Sequence, residues 1–333
     1  MSSRDALQPR IVTIVMYHVV HSNASGASRR LKGIDVAAFR GQLAYIRQQY
    51  TPVPLSDLAA AAAGACELPP RPIVLSFDDG YAAHFRVVFP LLAEAGVPAV
   101  FFPAASALID RRVLNVNKVQ NILAASDVSR LVERIEAAIA ERPALPRPDE
   151  YRRQWWKASR WDPPEVVYVK RLLQDALPEG VRRPLVDELF RSLISADERA
   201  FADELYMTVD DARAMVAAGM TIGAHGDRHV RLPTLSRDEQ AVEIDGALRV
   251  LDAVGSSRQN FVYCYANGAY NEDSLELLRT RGCSLAVTTR PDLAKLDTAD
   301  LLALPRIDTN DLPVRSDAEP NEWARRAATA EMP

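Results

Sequence analysis

Asp78 and Asp79 stand side by side at the end of the apolar run Ile73-Val74-Leu75-Ser76-Phe77, and far downstream His225 and His229 are spaced by three residues in a chain with 5 histidines. One carboxylate and two imidazoles can hold a divalent cation and leave it open positions. The second carboxylate is then free to act as a base toward water. Adjacent acids repel, and one of them is pushed toward protonation unless a cation or hydrogen bonds offset the repulsion. Each half of this inventory has a plainer reading. Asp-Asp-Gly is also an ordinary turn, with Asp capping and Gly at positive φ, and two histidines one helical turn apart can simply be packed or solvated. What raises the chemical reading is position, because strand ends are where α/β barrels carry their reacting groups.

The elements around these residues have the right rhythm. Residues 11–17, 73–77 and 98–102 are short runs rich in Val, Ile and Phe, as expected of strands buried on both faces of a parallel sheet. Asp35 and Ser56 are placed to cap helices over 36–49 and 57–63, and a further helix is expected over 82–95. The alternation then breaks. Residues 104–207 are helical in pattern, charged and cut by Pro143, Pro146, Pro148, Pro163, Pro164, Pro178 and Pro184, which marks an insertion. It resumes with a capping box at Thr208-Val209-Asp210-Asp211, a strand over 221–224, a second box at Ser236-x-x-Glu239, and strands over 261–265, 284–289 and 301–306. With no glycine-rich phosphate loop, about seven strands alternating with helices predict a closed or nearly closed α/β barrel. The expected organisation is a barrel over 1–103 and 208–312, the helical insertion 104–207, and a polar tail, 313–333, that frays.

Composition narrows the partners. A net charge of -4 gives no general attraction to nucleic acid. Cys66, Cys264 and Cys283 form no C-x-x-C and an odd set, against both a disulfide framework and a thiolate zinc site. No run approaches the eighteen or so apolar residues of a membrane span, and Met1–Arg10 lacks the pattern of a signal peptide. A cytoplasmic protein is expected, with peripheral contact at the inner membrane face retained as an option.

Three segments carry a resemblance. Ser76-Phe77-Asp78-Asp79-Gly80-Tyr81, then Ile222-Gly223-Ala224-His225-Gly226-Asp227-Arg228-His229, then Tyr265-Ala266-Asn267-Gly268-Ala269-Tyr270, taken in order, resemble the successive signatures of the polysaccharide deacetylase family, also known as the NodB-homology domain or carbohydrate esterase family 4. The resemblance covers 11–103 and 208–306. It implies a distorted (β/α)7-type barrel, with the helical stretch 104–207 as a large insertion, and a metal-dependent hydrolase that removes N-acetyl groups from amino sugars, with Asp78 as general base, Asp79, His225 and His229 as ligands, and zinc as the default cation, with nickel or cobalt as alternatives. It further implies that a backbone N–H at Asn267 faces the oxyanion and that Tyr81, Tyr265 and Gly268 lie along the substrate.

The chain also departs from the family pattern. Cys264 stands where many members have an arginine that orients the base, Ala266 replaces a proline, and Gly226 replaces the hydroxyl residue after the first ligand histidine. No histidine follows His229, so the general acid must come from elsewhere. His18, ending the first predicted strand, is the replacement, and a hydrogen-bonded rim histidine is an equal reading of it. His21 and His84 receive no role, and Asp308 lies near without one. In the insertion, the stretch from Tyr151 to Trp161 holds three of the 4 tryptophans and no acid. It suits sugar stacking or an anionic membrane surface, and slightly better the packing of the insertion itself. The function expected is N-deacetylation of an amino sugar in surface polysaccharide assembly. Alternatives are hydrolysis of a non-sugar amide or cyclic amide, or a catalytically inactive glycan-binding homologue.

Overall fold

The computed structural model describes residues 10–21, 27–159 and 162–329. The chain divides into two compact units, one of Met1–Ser25, Gly33–Arg111 and Asp203–Pro333, the other of Gly26–Lys32 and Arg112–Ala202.

The first unit is the barrel. The strands that form its ring are β1 (Ile11–Tyr17), β2 (Pro72–Asp78), β3 (Ala99–Phe102), β4 (Thr221–Ile222), β5 (Phe261–Cys264), β6 (Cys283–Val287) and β7 (Ile307–Asp308), with short strands Val19–His21, Gly33–Asp35, Thr51–Pro52 and Ala294–Lys295 beside them. Parallel ladders join β1 to β2, β2 to β3, β3 to β4 and β5 to β6. Single parallel bridges, Ala224 to Tyr263 and Val287 to Leu304, carry the ring across its thin places, and β7 closes it by pairing with β1 at Val15 and Ile307. The ring is therefore complete but uneven, a distorted seven-stranded barrel.

Period-two alternation sorts the side chains. Val12, Ile14, Val74, Val100, Phe102, Val262 and Val287 belong to one buried cluster, while Val15, Tyr17, Leu75, Phe77 and Phe101 belong to another with Phe39 and Ile46 of the helix Val36–Gln49. Asp78 falls on the face of Val74 and Ser76, so the strand delivers its carboxylate to the barrel mouth.

Local signals explain most helix starts. Asp35 accepts the Ala38 N–H at 2.7 Å, and the boxes at Thr208/Asp211 and Ser236/Glu239 both close. Ser56 does not cap: Pro54 holds that position and the helix runs Leu55–Ala62, because proline's fixed φ suits a helix entry. The helix expected over 82–95 opens with a π-helical stretch, His84–Val88. The last ladder lies at Ile307–Asp308 rather than 301–306, since Pro305 has no N–H to give. The tail expected to fray forms the helix Glu322–Thr329, whose Ala324 and Ala327 are buried in the core.

The second unit packs helices Asn115–Ala125, Val128–Ala140, Pro148–Trp155, Pro164–Arg171 and Glu179–Leu193. Pro148 and Pro164 start helices, where a missing N–H costs nothing, but Pro184 lies inside one. Arg152 sits 4.6 Å over the Trp156 ring and pairs with Glu136 at 2.5 Å, while Arg171 covers Trp155 at 5.4 Å. Arg160 and Trp161, part of the aromatic stretch singled out in the sequence, lie outside the described residues. Among the described residues no helix is long and apolar enough to cross a membrane.

Candidate active site

Asp79 begins where β2 ends. It takes φ 71° and Gly80 φ 73°, two consecutive left-handed residues that swing the chain so Asp79 can join Asp78 at the mouth instead of pointing to the opposite face. Gly80 is required there also by space, since a Cβ would lie 2.6 Å from Pro103 Cβ. The Tyr81 hydroxyl donates to Asp79 Oδ2 at 2.7 Å. Asp79 Oδ1 is buried with no hydrogen-bond partner among the described residues. It faces His225 Nε2 at 3.5 Å and His229 Nε2 at 3.4 Å.

That spacing bears directly on a metal. A tetrahedral ion with bonds of about 2.1 Å has ligand atoms about 3.4 Å apart, so each imidazole stands from Asp79 Oδ1 as two ligands of one ion would, and ligand atoms of all three residues lie within 4.8 Å of one another. A buried carboxylate oxygen left without a donor is costly, and a cation removes the cost. His225 donates from Nδ1 to the Cys264 carbonyl at 2.8 Å, which turns Nε2 toward Asp79. Burial pulls this imidazole down, but Cys264, Asp79 and Asp78 outweigh it and raise it well above its usual range, so the pocket favours a positive charge that a cation would supply in place of the proton. Burial pulls His229 down to about 4, so it is neutral near pH 7 and offers its lone pair without losing a proton. Burial pushes Asp79 up, but the imidazoles of His225, His229 and His18 outweigh it and hold the carboxyl below its usual range. The residues fit a divalent cation.

Asp78 is treated differently. Arg306 Nη1 and Nη2 donate to its two oxygens at 2.8 and 2.7 Å, and the guanidinium is itself fixed by Ser76 Oγ at 3.0 Å and the Thr288 carbonyl at 2.8 Å. Both side chains are buried. Burial raises the Asp78 carboxyl, yet the Arg306 charge and its two hydrogen bonds bring it well below the usual carboxylate range. Arg306 was not singled out in the sequence. Its only signal was a cation inside the apolar stretch Leu301-Leu302-Ala303-Leu304-Pro305-Arg306-Ile307. The arginine missing at Cys264 thus has a counterpart arriving ahead of β7, and Cys264 Sγ fills the remaining space, 3.5 Å from Asp78 Oδ2 and 3.2 Å from Arg306 Nη2.

His18 Nε2 lies 3.9 Å from Asp78 Oδ2 with 42% of its side chain exposed, so it is open to solvent at the mouth. Its backbone is anchored, because His84 Nε2 donates to the His18 carbonyl at 2.7 Å. Burial pulls His84 down to about 4, which keeps it neutral in this structural part.

The loop after β5 holds Tyr265, Asn267 and Gly268. Tyr265 is fully buried and its hydroxyl donates to the Leu302 carbonyl at 2.8 Å, so its ring belongs to the packing behind the loop and not to a substrate surface. Tyr81, equally buried, serves Asp79. Asn267 is exposed at φ 55° in a tight turn. A Cβ on Gly268 would meet Thr289 Oγ1 at 2.2 Å, so that glycine is explained by the chain's own packing. Asp308 is occupied in capping Asn310.

A closed parallel α/β barrel with a paired-histidine carboxylate cluster and a clamped second carboxylate at one mouth is the layout of a barrel hydrolase. Comparison with known proteins makes this specific: the sequence profile described as Polysaccharide deacetylase matches residues 66–148 and 196–286, about half the chain, and the chain belongs to that family. The Escherichia coli K12 poly-beta-1,6-N-acetyl-D-glucosamine N-deacetylase is 36% identical over 93 residues, which is 28% of this chain and only 14% of that enzyme. Among solved structures, the Streptococcus pyogenes deacetylase PplD in complex with acetate superposes with a TM-score of 0.56 at 16% identity, covering 98% of this chain and all of that one. IcaB from Ammonifex degensii gives 0.55 at 18% identity, covering 97% of each. These structural likenesses establish the NodB-like fold.

Proposed function

We propose that this protein removes N-acetyl groups from N-acetylglucosamine units of a surface polysaccharide, with a divalent cation, zinc by default, held by Asp79, His225 and His229. The observation that carries the reading is the unpartnered Asp79 Oδ1 facing two imidazole nitrogens while the neighbouring Asp78 is held apart by Arg306. The substrate class is supported by the name of the Escherichia coli relative.

A cation in this position would polarise the acetamide carbonyl and acidify water. Asp78, ionised and oriented by Arg306, accepts the proton released as water attacks the carbonyl carbon. The Asn267 N–H supports the negative charge that builds on the carbonyl oxygen. As the C–N bond breaks, His18 gives a proton to the departing amine, so that acetate and a free amino sugar are formed. His18 is exposed enough to be reprotonated from solvent, and Tyr81 keeps Asp79 in the orientation the cation needs.

The test is acetate release from N-acetylglucosamine oligomers by the zinc-loaded protein. Asp78→Asn should cut turnover by about 10²–10⁴-fold while retaining bound zinc. Equal turnover in wild type and Asp78→Asn would remove the base from the reaction, and absence of acetate with any such oligomer would defeat the substrate assignment.

A further inference from the structure

The loop that carries both ligand histidines has no hydroxyl at Gly226 to brace it, yet it must hold His229 at φ 59° and Gly226 at φ 76°. Its brace comes from outside. Glu243, on the helix Arg237–Ala247, accepts the Arg228 backbone N–H on Oε1 at 2.7 Å and the Arg228 Nε on Oε2 at 3.1 Å. The Glu243 side chain is fully buried, whereas that of Arg228 is 44% exposed. Gly226 leaves room for this arrangement, since a Cβ there would come within 3.1 Å of Glu243 Oε1. The rest of the loop is fastened independently: Ala105 and Ser106 N–H donate to the Gly226 and Asp227 carbonyls, and Arg249 bridges Asp227 and Asp110.

A buried carboxylate is expensive unless its oxygens are used. Here both are used on a single residue, the one immediately before the second ligand histidine. We infer that Glu243 is a positioning residue for the metal site, presetting the Gly226–His229 turn so that His229 Nε2 meets Asp79 and His225 at ligand spacing. It takes over, from a different helix, the bracing for which this chain has no side chain at Gly226. The inference rests on the metal reading above and concerns affinity for the ion, not the reaction step.

The experiment is zinc titration of the chelator-stripped full-length protein against a competing metallochromic chelator, for wild type, Glu243→Gln and Glu243→Ala. All three are measured at a temperature where circular dichroism shows them folded. Glu243→Ala should weaken zinc by about 10–100-fold, and Glu243→Gln, which keeps one acceptor for the Arg228 N–H, should fall between it and wild type. The visible spectrum of the cobalt-loaded protein should change in the same order. Zinc affinities within twofold of wild type in both variants, with unchanged cobalt spectra, would overturn the inference and leave Glu243 as a fold-stabilising group only. If Glu243→Ala does not fold, Glu243→Gln alone decides by the same criterion. A wild-type protein that takes up no zinc or cobalt would instead defeat the metal reading on which the inference stands.

Discussion

Arg306 determines how Asp78 behaves. A carboxylate buried in the barrel would ordinarily drift toward protonation, and two hydrogen bonds from a guanidinium that has no route to solvent reverse that tendency. The sign follows: because the folded-state carboxyl lies below its usual range, the pairing contributes stability at neutral pH and loses it only as pH falls through that depressed value. Arg306→Met should therefore have two effects. It leaves an unpaired buried carboxylate, costing about 3–5 kcal/mol in urea denaturation at pH 7. In the zinc-saturated enzyme it should also move the acidic limb of the kcat/KM profile to higher pH, since the strongest attraction opposing burial is gone and only the weaker pull of His225 and His18 remains on Asp78. An unmoved limb would mean that Arg306 does not control the proposed base, Asp78. Asp78, Asp79, His225 and His229 were visible in the sequence because rare residue types stood at strand ends in a set spacing. Arg306 was not, because the partner it serves is 228 positions away and a lone arginine near a proline reads as a loop cation. Tyr265 is placed along the substrate by its position within a family motif, and nothing in the sequence signals that its hydroxyl is bound to the Leu302 carbonyl.

The end of β2 is the element on which the site turns. Two left-handed residues in succession convert neighbours in sequence, which a strand would send to opposite faces, into neighbours in space. Gly80→Ala puts a Cβ against Pro103 and forces a side chain into left-handed backbone, for a loss of about 2–4 kcal/mol. Urea unfolding should show a lower midpoint at unchanged slope, and a midpoint equal to that of wild type would mean the turn relaxes freely. Strands and capping boxes were legible because each is written within a few residues, as at Asp35, Thr208 and Ser236. The thin junctions were not. The barrel closes through single bridges at Ala224 and Leu304; strands are expected over 221–224 and 301–306, but local pattern does not show that pairing there shrinks to two residues or one.

For the whole molecule, the described barrel gathers the proposed ligands from two widely separated parts of the chain, so a bound ion should tie folding to occupancy. Free zinc at about 100 times its Kd should stabilise the native state by about 2.7 kcal/mol, seen as a higher Tm that chelator reverses; a Tm indifferent to both would deny a native-state site. The C-terminal helix Glu322–Thr329 shows the limit of composition at this scale. Its sequence is polar enough to suggest fraying, but Ala324 and Ala327, with Trp323 packed beside them, seat it on the core. The most direct test of the account is anomalous scattering from crystals of the zinc-loaded protein. It predicts one peak about 2.0–2.2 Å from Asp79 Oδ1, His225 Nε2 and His229 Nε2, with Asp78 still bound to Arg306 and outside the coordination sphere. A zinc ion ligated by Asp78, or seated away from the two imidazoles, would contradict it.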